Sequence, residues 1–211
     1  MIVKRHITKE ELKEMPKALF DGRIYVLQTE AEADKAVDYL LSSCPIVGID
    51  SETRPSFKKG ELHKVALLQV SSAECCFLFR LNMTGLTPSL IRFLENPDII
   101  KVGLSLKDDF TVLHRRAAFT PRGHIELQEY VSTFGIEDKS LQKIYAILFG
   151  QKISKGQRLT NWEADVLTDK QKVYAATDAW ACFNIYHLLK DLKQTGDYQI
   201  APANVETEGC E

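Results

Sequence analysis

An α/β fold, a mixed β-sheet flanked by α-helices, is what this sequence predicts, and three observations carry the prediction. Three short apolar runs rich in strand formers, residues 45–50 (PIVGID), 64–70 (KVALLQV) and 75–81 (CCFLFRL), follow one another across polar, turn-prone gaps. Helices interleave with the later strands, and a long stretch with a strong apolar stripe over 169–193 closes the pattern. Such interleaving covers both faces of a sheet. The composition fits one globular domain: 211 residues, 45% hydrophobic, with 11 glycines and 7 prolines, exclude collagen, low-complexity disorder and a disulfide-knotted miniprotein.

Each element has its own justification. Thr8-x-x-Glu11 has capping-box spacing, so residues 8–20 begin as a short helix that Pro16 bends or ends, and residues 1–22 read as an N-terminal extension. Residues 23–28 (RIYVLQ) read as a strand, and 30–41 place Ala33, Ala36, Val37, Leu40 and Leu41 at helical spacing. After the three apolar strands come a helical fragment at 89–94, a short strand at 99–102, a helix at 106–115 and a last strand at 124–127. A helix over 140–149 carries Leu141, Ile144, Tyr145 and Leu148 on one face. Residues 194–211 are polar, with Glu206, Glu208 and Glu211, and read as a flexible tail, which leaves 23–193 as the folded domain.

The 27 Lys+Arg against 29 Asp+Glu give a formal charge of −2, which argues against coating of nucleic acid by general basicity and leaves room for a local basic groove. The five cysteines, at 44, 75, 76, 182 and 210, are odd in number and lack CxxC spacing, so a reducing compartment suits them better than a zinc site or disulfide framework. The charged start lacks the apolar core of a signal peptide, and no run approaches the ~18 apolar residues of a spanning helix. A cytoplasmic protein with no membrane partner is expected.

Acids stand where a core should be. Asp50 and Glu52 end an apolar strand two residues apart, so the period-2 geometry aims both at one face. Two like charges side by side repel unless a divalent cation with oxygen ligands lies between them; a solvated strand end is the plain alternative. On the long helix, at about 100° per residue, Tyr174, Asp178, Ala181, Ile185 and Leu188 share a stripe, which puts Asp178 within the apolar face. A carboxylate there needs a metal, a cation or a hydrogen-bond donor. Ala175, Ala176, Ala179 and Ala181 are small enough to admit another element or a ligand. In 106–115 the core stripe is Leu106, Phe110 and Leu113; Asp109 lies about 60° from its centre and Asp108 about 160° away, so Asp109 is the better site candidate. A favourable interaction with the helix dipole would also account for either acid.

Together these elements resemble the DEDD-type 3′–5′ exonucleases of the ribonuclease H-like fold, and Tyr174-x-x-x-Asp178 marks the branch with a tyrosine. The resemblance is to the ribonuclease D and Werner-syndrome exonuclease group. It spans about residues 23–192, through VGIDSE (47–52), KVALLQV (64–70), KVG (101–103) leading to Asp109, and YAATDA (174–179). It implies that Asp50, Glu52, Asp109 and Asp178 hold two divalent metal ions, Mg2+ or Mn2+, with Asp50 bridging. It also implies that Tyr174 positions the attacking water, that Glu52 accepts from the terminal 3′ hydroxyl, and that nucleoside 5′-monophosphates leave the 3′ end of DNA or RNA, single-stranded or recessed. The competing class is a catalytically inactive nucleic-acid-binding or scaffolding protein of the same fold.

Lys58, Lys59, Lys64, Lys152, Lys155 and Arg158 flank the motifs as phosphate contacts, with Lys155 and Arg158 favoured. Phe57 offers a surface on which a terminal base packs, and Leu68 a lesser one, although within a strand it reads rather as core. Trp162, Trp180, His114 and His187 read as structural.

Overall fold

The computed structural model describes residues 1–58 and 60–202. In chain order its elements are β1 (Ile2–Val3), α1 (Lys9–Glu14), β2 (Arg23–Leu27), α2 (Glu30–Ser43), β3 (Ile46–Thr53), β4 (Val65–Ser71), β5 (Cys75–Phe79), α3 (Leu81–Thr84) and α4 (Pro88–Glu95). There follow β6 (Ile100–Gly103), α5 (Leu106–Leu113), β7 (His124–Glu126), α6 (Leu127–Ser132), α7 (Leu141–Phe149), α8 (Asp169–Thr195) and β8 (Gln199–Ile200). Six strands form one sheet in the order β2-β5-β4-β3-β6-β7. The consecutive strands β3, β4 and β5 pair antiparallel, and β2, β6 and β7 join in parallel, so the sheet is mixed.

Both faces of this sheet are covered, which explains why β4 reads as an unbroken apolar run: all seven of its residues are buried. On one face Val37, Leu40, Leu68, Val70, Leu90, Phe93 and Phe110 join α2, α4 and α5 to the sheet. On the other, α8 lies across the centre, with Ile185 and Leu189 packed against Val102, Val131 and Ile144. Leu67, Leu78, Trp162, Tyr174 and Ala175 continue that layer toward the start of α8. The contact between α8 and β3 is backbone to backbone: a Cβ on Gly48 would lie 1.9 Å from the Ala179 carbonyl oxygen. The alanines of the sequence pattern therefore serve close approach, and Ala175, Ala176, Ala179 and Ala181 are fully buried. The antiparallel register of β3 on β4 slips once, between Glu52 and Thr53.

The termini depart from expectation. The capping box at Thr8 and Glu11 forms, but α1 stops at Glu14 and Met15 is extended, as the residue before Pro16 tends to be. The rest of the N-terminal segment docks on the fold through Val3, Ile7, Ala18 and Phe20, all buried. In place of a flexible tail from residue 194, α8 runs to Thr195, Gly196 turns the chain at φ 73°, and β8 pairs in parallel with β1. The Tyr198 ring packs 5.2 Å from Phe134, an apolar anchor within an otherwise polar stretch. Residues 203–211, with the three tail glutamates, lie outside the described residues. The helices α3 and α6 were not expected, being too short to show a helical period. No helix among the described residues is long and apolar enough to cross a membrane.

Because Gly48 lets α8 touch β3, Gly48→Ala forces the two apart and is expected to destabilise the protein by about 3 kcal/mol or more. Chemical denaturation measures this; a midpoint equal to that of the unchanged protein would contradict the packing described.

Candidate active site

β3 turns alternate residues toward α8, and Gly48, Asp50 and Glu52 share that face. Gly48 brings the helix close, so the next two positions meet its first half, where Tyr174 and Asp178 lie one turn apart. One carboxylate oxygen each from Asp50, Glu52 and Asp178 falls within 4.8 Å of the others. Glu52 and Asp178 are 8% and 7% exposed and Asp50 is half-buried, so the cluster does not stand on a strand end open to solvent.

Asp109 comes from the other layer. It lies on the first turn of α5 and accepts a hydrogen bond from the Ser51 hydroxyl, while Asp108 is exposed. The helix phase read from the sequence thus separates the two acids as expected. Asp109 stands outside the 4.8 Å group, yet its charge raises the pKa of both Asp50 and Glu52. The start of α5 is set by Glu126, whose carboxylate accepts from the backbone amides of Ser105 at 2.9 Å and Leu106 at 2.7 Å. Ser105 is left-handed at φ 64°, and these bonds hold that unfavourable turn in place.

Burial sets the electrostatics. It pushes the Asp50 carboxyl well above the carboxylate range, with Asp109, Asp178 and Glu52 adding to the shift. Glu52 rises to about 9 through burial and then through Asp178 and Asp109, and Arg158 works against the shift. Burial also takes Asp178 up to about 7, opposed by the Tyr174 hydroxyl and Lys155. Asp109 reaches about 7 by burial, against the hydrogen bond from Ser51. The Tyr174 hydroxyl is raised by burial, then by Asp178 and Glu52, and stays protonated. Among the described residues none of the four acids has a cation within 4.0 Å. A compact set of oxygen donors, buried and short of positive charge, fits a hard divalent cation.

The exposed Lys155 and Arg158, on the connection from α7 to α8, act on Asp178 and Glu52 and so border the cluster. Phe57 is 82% exposed on the segment after β3, outside the core clusters. Leu68 is only 1% exposed and packs in the opposite layer, because its side chain alternates away from α8, so it offers no surface to a base. Lys58 and Lys64 are exposed, Lys152 donates to the Lys13 carbonyl, and Lys59 lies outside the described residues. Trp162 is buried with its ring 6.0 Å from Tyr174, and both ring nitrogens of His114 are bonded to the Phe110 and Phe119 carbonyls.

Three residues were missed by sequence reasoning: Ser51, Glu126 and Gln69. Gln69 pairs directly with Asp50 across β3 and β4, and both of its side-chain amide atoms are buried with no partner among the described residues. Its signal was a single amide inside the apolar run KVALLQV.

A family model described as 3′–5′ exonuclease matches residues 24–193, a span that contains all four acids and Tyr174. The chain belongs to the 3′–5′ exonuclease family. A 3′–5′ exonuclease of Arabidopsis thaliana is 31% identical over 85% of this chain and 68% of its own length. The mouse bifunctional 3′–5′ exonuclease/ATP-dependent helicase WRN is 32% identical over 74% of this chain, which spans only 12% of that protein. The structure of Escherichia coli RNase D superposes with a TM-score of 0.73 at 20% identity, over 82% of this chain and 46% of that one. The mixed sheet with its flanking helices is therefore ribonuclease H-like, and the motifs place the chain in the branch with a tyrosine.

The raised carboxyls have a thermodynamic signature in this exonuclease domain. Unfolded Asp and Glu titrate at about 4, whereas the native groups titrate up to about 7 for Asp109 and Asp178 and about 9 for Glu52. Between those limits the native state binds more protons than the unfolded one, so metal-free stability falls as pH rises through the window. Thermal unfolding in a chelator should show that fall, and saturating Mg2+ or Mn2+ should remove most of it by holding the carboxylates ionised. A metal-free stability that climbs across the same window would overturn the electrostatic account.

Proposed function

We propose that the protein is a metal-dependent 3′–5′ exonuclease that hydrolyses the terminal phosphodiester of a DNA or RNA strand, single-stranded or recessed, and releases nucleoside 5′-monophosphates. The observation that carries this reading is the convergence of Asp50, Glu52 and Asp178 within 4.8 Å, with Glu52 and Asp178 buried. Family membership supports the reaction class.

In this reading Asp50, Glu52 and Asp178 hold two divalent ions, Mg2+ or Mn2+, with Asp109 completing the set. Ions bound there supply charge neutralisation around the scissile phosphate. Tyr174, whose hydroxyl burial keeps protonated, donates a hydrogen bond that orients the attacking water and does not act as a base. The water oxygen bonds to phosphorus as the bond from phosphorus to the 3′ oxygen of the penultimate nucleotide breaks, and that oxygen takes up a proton. Glu52 also accepts from the terminal 3′ hydroxyl, which accounts for preference for a chain end. Lys155 and Arg158 hold phosphates of the bound strand, and the exposed Phe57 gives a base a surface to stack on.

Digestion of a 5′-labelled oligonucleotide with Mg2+ or Mn2+ tests the proposal. A ladder shortening from the 3′ end is expected, lost on chelation and abolished in Asp50→Ala. Tyr174→Phe, which keeps the ring and removes the hydroxyl, should lower kcat by about 10²-fold with little change in metal requirement. A folded protein that binds the strand and releases no mononucleotide with either ion would point instead to a binding or scaffolding role.

A further inference from the structure

Five lysines line one concavity of about 310 Å³: Lys9, Lys13 and Lys17 from the N-terminal segment, and Lys152 and Lys155 from the connection after α7. No acid lines it, and among the described residues none of the five has a carboxylate within 4.0 Å. In a chain of formal charge −2 that is a marked local excess. Grouped like charges repel, and a polyanion laid among them relieves the repulsion and releases its own counterions.

The concavity is one end of a longer trough. It shares Lys17, Ile153 and Ser154 with a second cavity of about 450 Å³ that reaches Tyr174. This inner half is more apolar, with Ala18, Leu19 and Val173 in its wall, and its single acid, Asp169, is engaged by Lys172 at 3.0 Å. Lys155, at the outer end, also acts on Asp178, so trough and acid cluster lie within electrostatic reach of each other. The wall carrying Lys9, Lys13 and Lys17 is fixed in place. Lys152 exchanges backbone hydrogen bonds with Pro16 and Ala18 at 2.9 Å each, and the Phe20 amide donates to the Thr177 hydroxyl at 3.0 Å. That wall lies outside residues 24–193, the span the family model matches.

We propose that this trough is a track for a single-stranded nucleic acid, holding the nucleotides upstream of the 3′ end. The lysines take successive phosphates, and the apolar inner wall takes base planes nearest the site, an arrangement indifferent to sequence. The track rests on the exonuclease reading for its direction, since the 3′ end must lie at the acids.

The test compares the unchanged protein with a triple variant, Lys9→Glu, Lys13→Glu and Lys17→Glu, and with its conservative counterpart, Lys9→Arg, Lys13→Arg and Lys17→Arg. Both are first checked for native thermal unfolding. In an Asp50→Ala background, binding of a fluorescent single-stranded 20-mer is measured against salt. The charge-reversed protein should bind at least tenfold more weakly, with a salt slope shallower by about 2, since each lost phosphate contact on a single strand removes about 0.7. The arginine counterpart should bind as the unchanged protein does. With Asp50 restored, the ratio of kcat/KM for the 20-mer to that for a dinucleotide should fall about tenfold in the charge-reversed protein only. Equal binding and an equal ratio in a protein that still digests both substrates would refute the track and leave the exonuclease reading standing. Lysine-dependent binding without hydrolysis of either substrate would refute the exonuclease reading and retain the track.

Discussion

Three carboxylates that repel one another, those of Asp50, Glu52 and Asp178, are held together by a packing contact that contains no charge at all. Asp50 and Glu52 meet Asp178 because Gly48 lets the backbone of α8 rest on β3, with the Ala179 carbonyl where a side chain would otherwise stand. The surrounding alanines and the two apolar layers supply the stability against which this repulsion is maintained. Burial then raises each carboxyl toward neutrality, so the cluster is short of the positive charge that a divalent cation would supply. Stability and chemistry draw on the same contact in opposite directions.

The supporting residues divide between the two layers. Ser51 and Glu126 act on the Asp109 side, one directly by donating to it and the other by holding the first turn of α5. Gln69 stands across from Asp50 with both amide atoms unpaired among the described residues, an expensive condition in the interior and one that places an adaptable polar group beneath the cluster. Lys155 and Arg158 oppose the negative charge from the outer rim. The docked N-terminal segment brings Lys9, Lys13 and Lys17 to the concavity that Lys155 also lines.

Much of this was legible in the chain because the decisive information is periodic. The spacing of Asp50 and Glu52 names a shared strand face, the spacing of Tyr174 and Asp178 a shared helix face, and the phase of 106–115 distinguishes Asp109 from Asp108. What escaped depends on partners distant in sequence. Nothing within residues 124–127 says that Glu126 will receive two amides from a neighbouring turn, and a single glutamine in an apolar run does not announce which acid it will face. The pairing of Ile2–Val3 with Gln199–Ile200 is of the same kind, since neither segment is long enough to read as a strand by itself. Leu68, which reads as core because it lies within a strand, is core, and alternation along that strand turns it to the layer away from α8.

The slip in register between Glu52 and Thr53 divides β3 into two mechanically distinct parts. From Gly48 to Glu52 each residue is paired with a partner on β4, so the acids inherit the stiffness of the sheet. Past the slip the ladder resumes one step out of phase, and residues 54–64 connect to β4 across that break. A bulge at this place works as a strain relief. The slip lies between the acids and the segment that carries Phe57. What the segment after β3 presents is thereby separated, by one break in the ladder, from the strand that positions Asp50 and Glu52.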